Sequence, residues 1–233
     1  MIHLRTSRYG GRVLCLVTDR RRLGLAVGAR PEAWTGILCE QVGAASRAGV
    51  DMIQVREPDL DADQLVHLVR SVIVATAGTS AKVLVNDRLD VALAAGASGV
   101  HLKERGFLPG EVRRIVPAAF LIGCSVHSTA AAAARKAADF LIAGTVLPTA
   151  SKPAVDYLNQ DGLQRIVQVA AGQPVLGIGG LDIPSIPLLA ASCAAGMAAV
   201  GAFIPSTGRG VSEFVQKRVA ELRFALESSS SRT

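Results

Sequence analysis

Two clusters of polar residues each follow a short apolar run. Ser125, His127 and Ser128 come after Phe120–Cys124, and Thr149, Ser151 and Lys152 come after Phe140–Ala143. An imidazole exchanges protons near neutral pH, hydroxyls donate to oxyanions, and a lysine adds a positive charge. Between the runs, Ser128–Ala138 is Ala-rich and contains neither Gly nor Pro, so the stretch Leu121–Pro153 reads as strand, helix, strand. Consecutive strands that release their functional groups on one side are parallel and joined by helical crossovers.

The same unit recurs along the chain. Apolar runs at Val13–Thr18, Asp51–Val55, Lys82–Val85, Gly99–Leu102, Val175–Ile178 and Met197–Val200 complete a set of eight predicted strands. Helical segments are predicted at Pro31–Ala48, Asp61–Thr76, Asp87–Ala95, Pro109–Val116, Asp161–Ala170, Ile183–Ala191 and Val211–Glu227. Eight alternations in 233 residues predict a single-domain α/β protein, a (β/α)8 TIM barrel. The alternative, an open doubly wound sheet, lacks the usual Gly-x-Gly-x-x-Gly after the first strand. The barrel is expected over residues 13–227, after a flexible segment 1–12 and before a disordered tail 228–233.

In a barrel, the loops after the strands carry the chemistry, and loops seven and eight usually hold phosphate. Here those loops contain Gly179 and Gly180, then Gly201 and Ala202. Glycine lets backbone N–H groups approach an anion closely, so these four positions are the expected phosphate cradle.

Composition narrows the partners. The net charge is +6, yet residues 1–30 hold seven arginines against Asp19 alone, which leaves 18 basic and 18 acidic residues elsewhere. A neutral body with few aromatics argues against nucleic acid, and the cluster Arg20–Arg22 reads either as a solvated loop or as a lure for a small anion. No apolar run approaches the roughly 20 residues of a membrane span, and the start has no signal-peptide core, so the expectation is a cytoplasmic protein with no membrane partner. Four scattered cysteines, Cys15, Cys39, Cys124 and Cys193, are expected as buried reduced thiols. The composition allows a homo-oligomer without requiring one.

Five segments, GVDMIQVRE (Gly49–Glu57), VNDRLDVALAAGASGVHL (Val85–Leu102), IGCSVHS (Ile122–Ser128), AGTVLPTASK (Ala143–Lys152) and LGIGGL (Leu176–Leu181), resemble the thiamin phosphate synthase and thiazole tautomerase superfamily. The resemblance implies a (β/α)8 barrel and a phosphorylated thiazole as ligand. It places Gln54, Arg56, Asn86, Ser125, Thr149, Ser151 and Lys152 around the substrate, with Arg56 suited to a bidentate grip on an anion.

The two branches make different demands. The synthase joins a pyrimidine methyl diphosphate to a thiazole phosphate and uses Mg2+ on the diphosphate oxygens. Its Gln-x-Arg-Glu-Lys pattern ends here in Pro58, and its His-Leu-Gly-Gln-x-Asp pattern reads His101-Leu102-Lys103-Glu104-Arg105-Gly106, leaving Asp87 as the one remaining metal ligand. The tautomerase shifts a proton to aromatise a thiazole carboxylate phosphate, needs no cofactor, and has a Ser-Val-His-Ser context like that of His127. With two departures in the diphosphate site, the expectation is a tautomerase with His127 as the catalytic residue. The synthase, with Mg2+, is the alternative, and a non-catalytic binder of thiazole or thiamin phosphate with a regulatory role is another.

Overall fold

The computed structural model describes residues 12–149, 156–206 and 210–229. Its eight parallel strands close into a barrel in sequence order, with β8 pairing back onto β1. They are β1 (Val13–Val17), β2 (Met52–Val55), β3 (Lys82–Asn86), β4 (Gly99–Leu102), β5 (Leu121–Val126), β6 (Phe140–Gly144), β7 (Val175–Ile178) and β8 (Gly196–Ala199). The predicted (β/α)8 TIM barrel is therefore the fold.

Around the strands lie α1 (Arg20–Ala26), α2 (Trp34–Ala48), α3 (Ala62–Ala75), α4 (Leu89–Ala95), α5 (Pro109–Arg113), α6 (Thr129–Ala133), α7 (Asn159–Ala170), α8 (Ile186–Ala191) and α9 (Val211–Ser228). Local chemistry sets their ends. Asp61 and Gln64 form a reciprocal capping box at the start of α3, and Gly49 ends α2 in the left-handed conformation at φ 109°. Leu65, Leu68, Val69 and Val72 bury the apolar face of α3, as their helical spacing predicts. The helix expected over Ser128–Ala138 stops at Ala133, because alanine favours a helix without supplying the apolar face that would dock a longer one.

One helix was not expected. The Arg20–Arg22 cluster opens α1, where the Asp19 side chain accepts from the Arg22 N–H as an N-cap. This helix docks against Trp34, and a Cβ at Gly24 would collide with the indole ring. The packing thus requires glycine at that position and fixes the direction in which Arg22 emerges.

Two apolar shells follow from strand alternation. Residues facing outward, including Leu14, Leu16, Ile53, Val83, Val85 and Ile122, pack against the helices. Residues facing inward, including Val13, Cys15, Val17, Met52, Leu84, Leu121, Phe140, Ile142, Leu176 and Ala198, fill the barrel. Gly123 makes room there, since a Cβ at that position would strike the Phe140 ring and stand 2.7 Å from His101 Nδ1. The cysteines are all free: Cys15 and Cys124 are buried, but Cys193 is exposed in the turn after α8, contrary to the expectation of burial. No described helix is long and apolar enough to cross a membrane.

At the opposite end from the strand C-termini, α9 ties the barrel shut. Arg223 donates to the Gly49 carbonyl (2.9 Å), to the Arg12 carbonyl (2.7 Å) and to the Asp51 carboxylate, which also accepts from Leu14 N–H at 2.8 Å. Both side chains are largely buried. Arg223→Ala should therefore lower unfolding free energy by about 3–5 kcal/mol, because it strips a buried carboxylate of its partner. Urea denaturation checks this, and a loss below about 1 kcal/mol would contradict it.

Candidate active site

Strand parity decides which polar residues meet. Gln54 lies two residues beyond inward-facing Met52, Asn86 two beyond Leu84, and Ser125 four beyond Leu121, so all three enter the barrel at its C-terminal end. His101 pairs in register with Asn86 and joins the same layer. Gln54 Nε2 donates to Asn86 Oδ1 at 2.9 Å, and His101 Nε2 lies 2.9 Å from Ser125 Oγ. Apolar residues fill the barrel below, so this polar layer forms a floor.

Above it opens a cup of about 500 Å3, within the size range of small-molecule sites. Gln54, Arg56, Asn86, Ser125, His127, Thr149, Gly179, Gly180, Gly201 and Ala202 all line it. Nine of the expected ligand-binding positions and the expected catalytic His127 thus share one cavity. Ser151 and Lys152 lie outside the described residues. Asp87 is not part of the lining but follows Asn86, one residue ahead of the α4 N-cap Arg88.

The glycines of loop seven have a structural duty as well. Gly179 and Gly180 have φ of 102° and 66°, and a Cβ at Gly180 would sit 2.5 Å from the Pro148 carbonyl oxygen. Only glycine lets this loop lie against the loop after β6, where Leu147 N–H donates to the Gly179 carbonyl at 3.0 Å. After β8, Gly201 opens a 3-10 turn, Gly201–Phe203. The Arg22 guanidinium lies over it, with Nη2 3.2 Å from where a Cβ would be. Of the arginine cluster, Arg22 therefore reaches the cup, whereas the Arg20 guanidinium is engaged by Glu57 and Asp59.

A buried carboxylate holds this corner. Glu57 accepts from the Thr18 hydroxyl (2.6 Å), the Arg20 N–H (3.0 Å) and the Arg20 guanidinium (3.0 Å). Burial pushes the Glu57 pKa up, against the pull of the Thr18 and Arg20 hydrogen bonds. Thr18 Oγ1 accepts in turn from Arg56 N–H at 3.0 Å. Glu57 thereby locks the loops after β1 and β2 together and sets both Arg22 and Arg56 beside the cup. Among the described residues, neither of these two guanidinium groups has a carboxylate partner, so both charges are available to an anion.

Sequence reasoning missed several contributors. Glu104 accepts from both His127 N–H (2.6 Å) and His127 Nδ1 (2.8 Å), while its carbonyl accepts from Arg135. With Nδ1 engaged by Glu104, Nε2 is the ring nitrogen left to face other partners. Thr145, Leu181 and Asp182 also line the cup. The sequence carried one usable sign of the Glu104 contact: barrel closure makes the loops after β4 and β5 neighbours.

Magnesium requires hard oxygen ligands. Of the two carboxylate positions implied by the resemblance, 106 is glycine, and Asp87 Oδ2 is 2.5 Å from Lys103 Nζ. Glu104 is engaged by His127. Among the described residues no group of three His, Cys, Asp or Glu side chains could hold a metal ion. The residues present do not fit a two-carboxylate magnesium site.

Fold and cup together define a TIM-barrel protein with a glycine-lipped cavity, lined by two arginines, at the C-terminal ends of its strands. Residues 14–203 match the family model described as thiamine monophosphate synthase. The thiamine-phosphate synthase of Methanoculleus marisnigri is 38% identical over 164 residues, which cover 69% of this chain and 77% of that protein. That of Roseiflexus castenholzii is 34% identical over 199 residues, 84% and 82% of the two chains. A solved structure, the thiamine phosphate pyrophosphorylase from Pyrococcus furiosus, superposes with a TM-score of 0.75 at 30% identity and covers 93% of this chain and 96% of that one. The chain belongs to the thiamine monophosphate synthase family.

These relatives overturn the expectation of a cofactor-free tautomerase, the reading in which His127 is the catalytic residue. Pro58 and Gly106 depart from the synthase pattern, yet relatives at 34–38% identity carry the synthase name.

His101 gives the site a pH signature. It is fully buried, its Nδ1 has no hydrogen-bond partner among the described residues, and burial lowers its pKa to about 4. The folded value lies below the unfolded value near 6.5, so the unfolded chain takes the proton first and stability falls as pH drops from about 6.5 towards 4. The loss approaches about 3 kcal/mol and should be absent in His101→Asn. Denaturation midpoints of both proteins across this range check it, and parallel pH curves would contradict it.

Proposed function

We propose that this chain is a thiamin phosphate synthase, a transferase that joins a pyrimidine methyl diphosphate to a thiazole phosphate and releases diphosphate. The observation that carries the reading is the pair of arginines without a carboxylate partner among the described residues, Arg22 and Arg56, beside the cup that also contains the Gln54–Asn86 amide pair and the glycine loops. The bond that forms links the thiazole ring to the exocyclic carbon of the pyrimidine. The bond that breaks joins that carbon to diphosphate, which leaves with the electron pair.

Negative charge therefore accumulates on the departing diphosphate, and preorganised cations are what lower that barrier. Arg22 and Arg56 supply them, held in place by the Glu57 network. Gly179, Gly180, Gly201 and Ala202 cradle the phosphate of the thiazole, and Ser125 and Thr149 add hydroxyl donors. Gln54 and Asn86 offer amide donors and acceptors to an uncharged ring. His127 contributes a hydrogen-bonding edge at the rim, since this substitution moves no carbon-bound proton. The partners are thus two small phosphorylated heterocycles, and Mg2+ is the cofactor that the synthase branch brings into question for this chain.

The test is product formation from the two substrates by the purified protein. Thiamin phosphate and diphosphate should appear in equal amounts, and Arg56→Ala should lower kcat/KM about 10- to 150-fold through loss of a charged hydrogen bond. A folded protein that binds thiazole phosphate yet forms no thiamin phosphate under any metal condition would overturn the reading.

A further inference from the structure

We propose that the Lys103 ammonium, seated on Asp87, takes the place of a divalent cation at the diphosphate, so that this chain catalyses the synthase reaction without a metal. The inference rests on the synthase reading above. It starts from two departures in one short run, lysine at 103 and glycine at 106, which the fold brings to the same carboxylate.

Neighbouring strands make the meeting unavoidable. Asp87 N–H donates to the His101 carbonyl at 2.8 Å, so the loop after β3 runs beside the loop after β4. Lys103 stands two residues beyond His101, and its Nζ lies 2.5 Å from Asp87 Oδ2. The chain then turns back, with Gly106 N–H donating to the Lys103 carbonyl at 3.0 Å. A Cβ at Gly106 would stand 3.3 Å from Asp87 Oδ1. Position 106 is therefore where a second carboxylate would share a cation with Asp87, and the chain has none there.

Charge accounting explains why both changes occur together. A divalent cation between two carboxylates sums to zero, and so does one ammonium on one carboxylate. Glycine at 106 without lysine at 103 would leave Asp87 as an uncompensated negative charge facing an anionic substrate. Lysine at 103 with a carboxylate retained at 106 would leave the site with a net negative charge against an anionic substrate.

The ammonium is also free to work. The Lys103 side chain is 64% exposed, against 27% for Asp87. One of its three N–H groups serves Asp87, and two remain for diphosphate oxygens. The pair is flanked by Asn86 and, through Glu104, by His127, both of which line the cup. As the C–O bond breaks, these N–H groups stabilise the charge on the leaving diphosphate, and no proton needs to be transferred.

The experiment measures turnover of the full chain in metal-stripped buffer with EDTA and again with Mg2+, alongside calorimetry of inorganic diphosphate under both conditions. Wild type should turn over in EDTA within about threefold of its rate with Mg2+, and Lys103→Ala should weaken metal-free diphosphate binding about 10- to 100-fold. The double substitution Lys103→Gly with Gly106→Asp should bind diphosphate and turn over only with Mg2+. Wild-type turnover that requires Mg2+ would overturn this inference and leave the synthase reading standing. If wild type turns over in neither buffer, the synthase reading falls and the calorimetry decides alone. Metal-free binding that is lost in Lys103→Ala then upholds the role of the ammonium, and binding that needs Mg2+ overturns it.

Discussion

Closure of the parallel sheet is the constraint on which the rest depends. In a closed barrel each strand presents every second side chain to a narrow interior, and no strand can shift register without turning its apolar face outward. Val13, Met52, Leu84, Leu121 and Phe140 fix the parity with which each strand faces inward. That parity then sends Gln54, Asn86, His101 and Ser125 into the last interior layer. The polar floor of the site is a consequence of how the core packs.

The electrostatics build on that frame. A buried Glu57 carboxylate joins the loops after β1 and β2, and in doing so places Arg22 and Arg56 beside a cup lined by glycine loops. Farther round the barrel, Lys103 sits on Asp87 and Glu104 on His127, each pair spanning two adjacent loops. The sequence of alternating charges in Lys103-Glu104-Arg105 is thus shared between two neighbours rather than spent on one solvated face. The unpaired positive charge at the cup is therefore that of Arg22 and Arg56, while the farther side carries these two ion pairs.

Much of this was legible in the chain. The strands showed as apolar runs bounded by polar residues, and the loops after them named most of the cup. Helix α1 was not legible, because RRRLGLA has too few apolar positions for a helical period, and its stability comes from the Asp19 cap and the Gly24–Trp34 contact. The branch was misread for a related reason. Pro58 and Gly106 read as two departures in one diphosphate site, and the fold sets Lys103 against the carboxylate that Gly106 leaves alone. A contact between two loops is invisible until the strands that carry them are known to be neighbours.

The most direct measurement is a crystal structure of the protein with thiazole phosphate and inorganic diphosphate bound together. The phosphate of the thiazole should lie on the backbone of Gly179, Gly180, Gly201 and Ala202, with the diphosphate contacting Arg22 and Arg56 in the same cup. Diphosphate bound away from both arginines, or excluded by thiazole phosphate, would contradict the account.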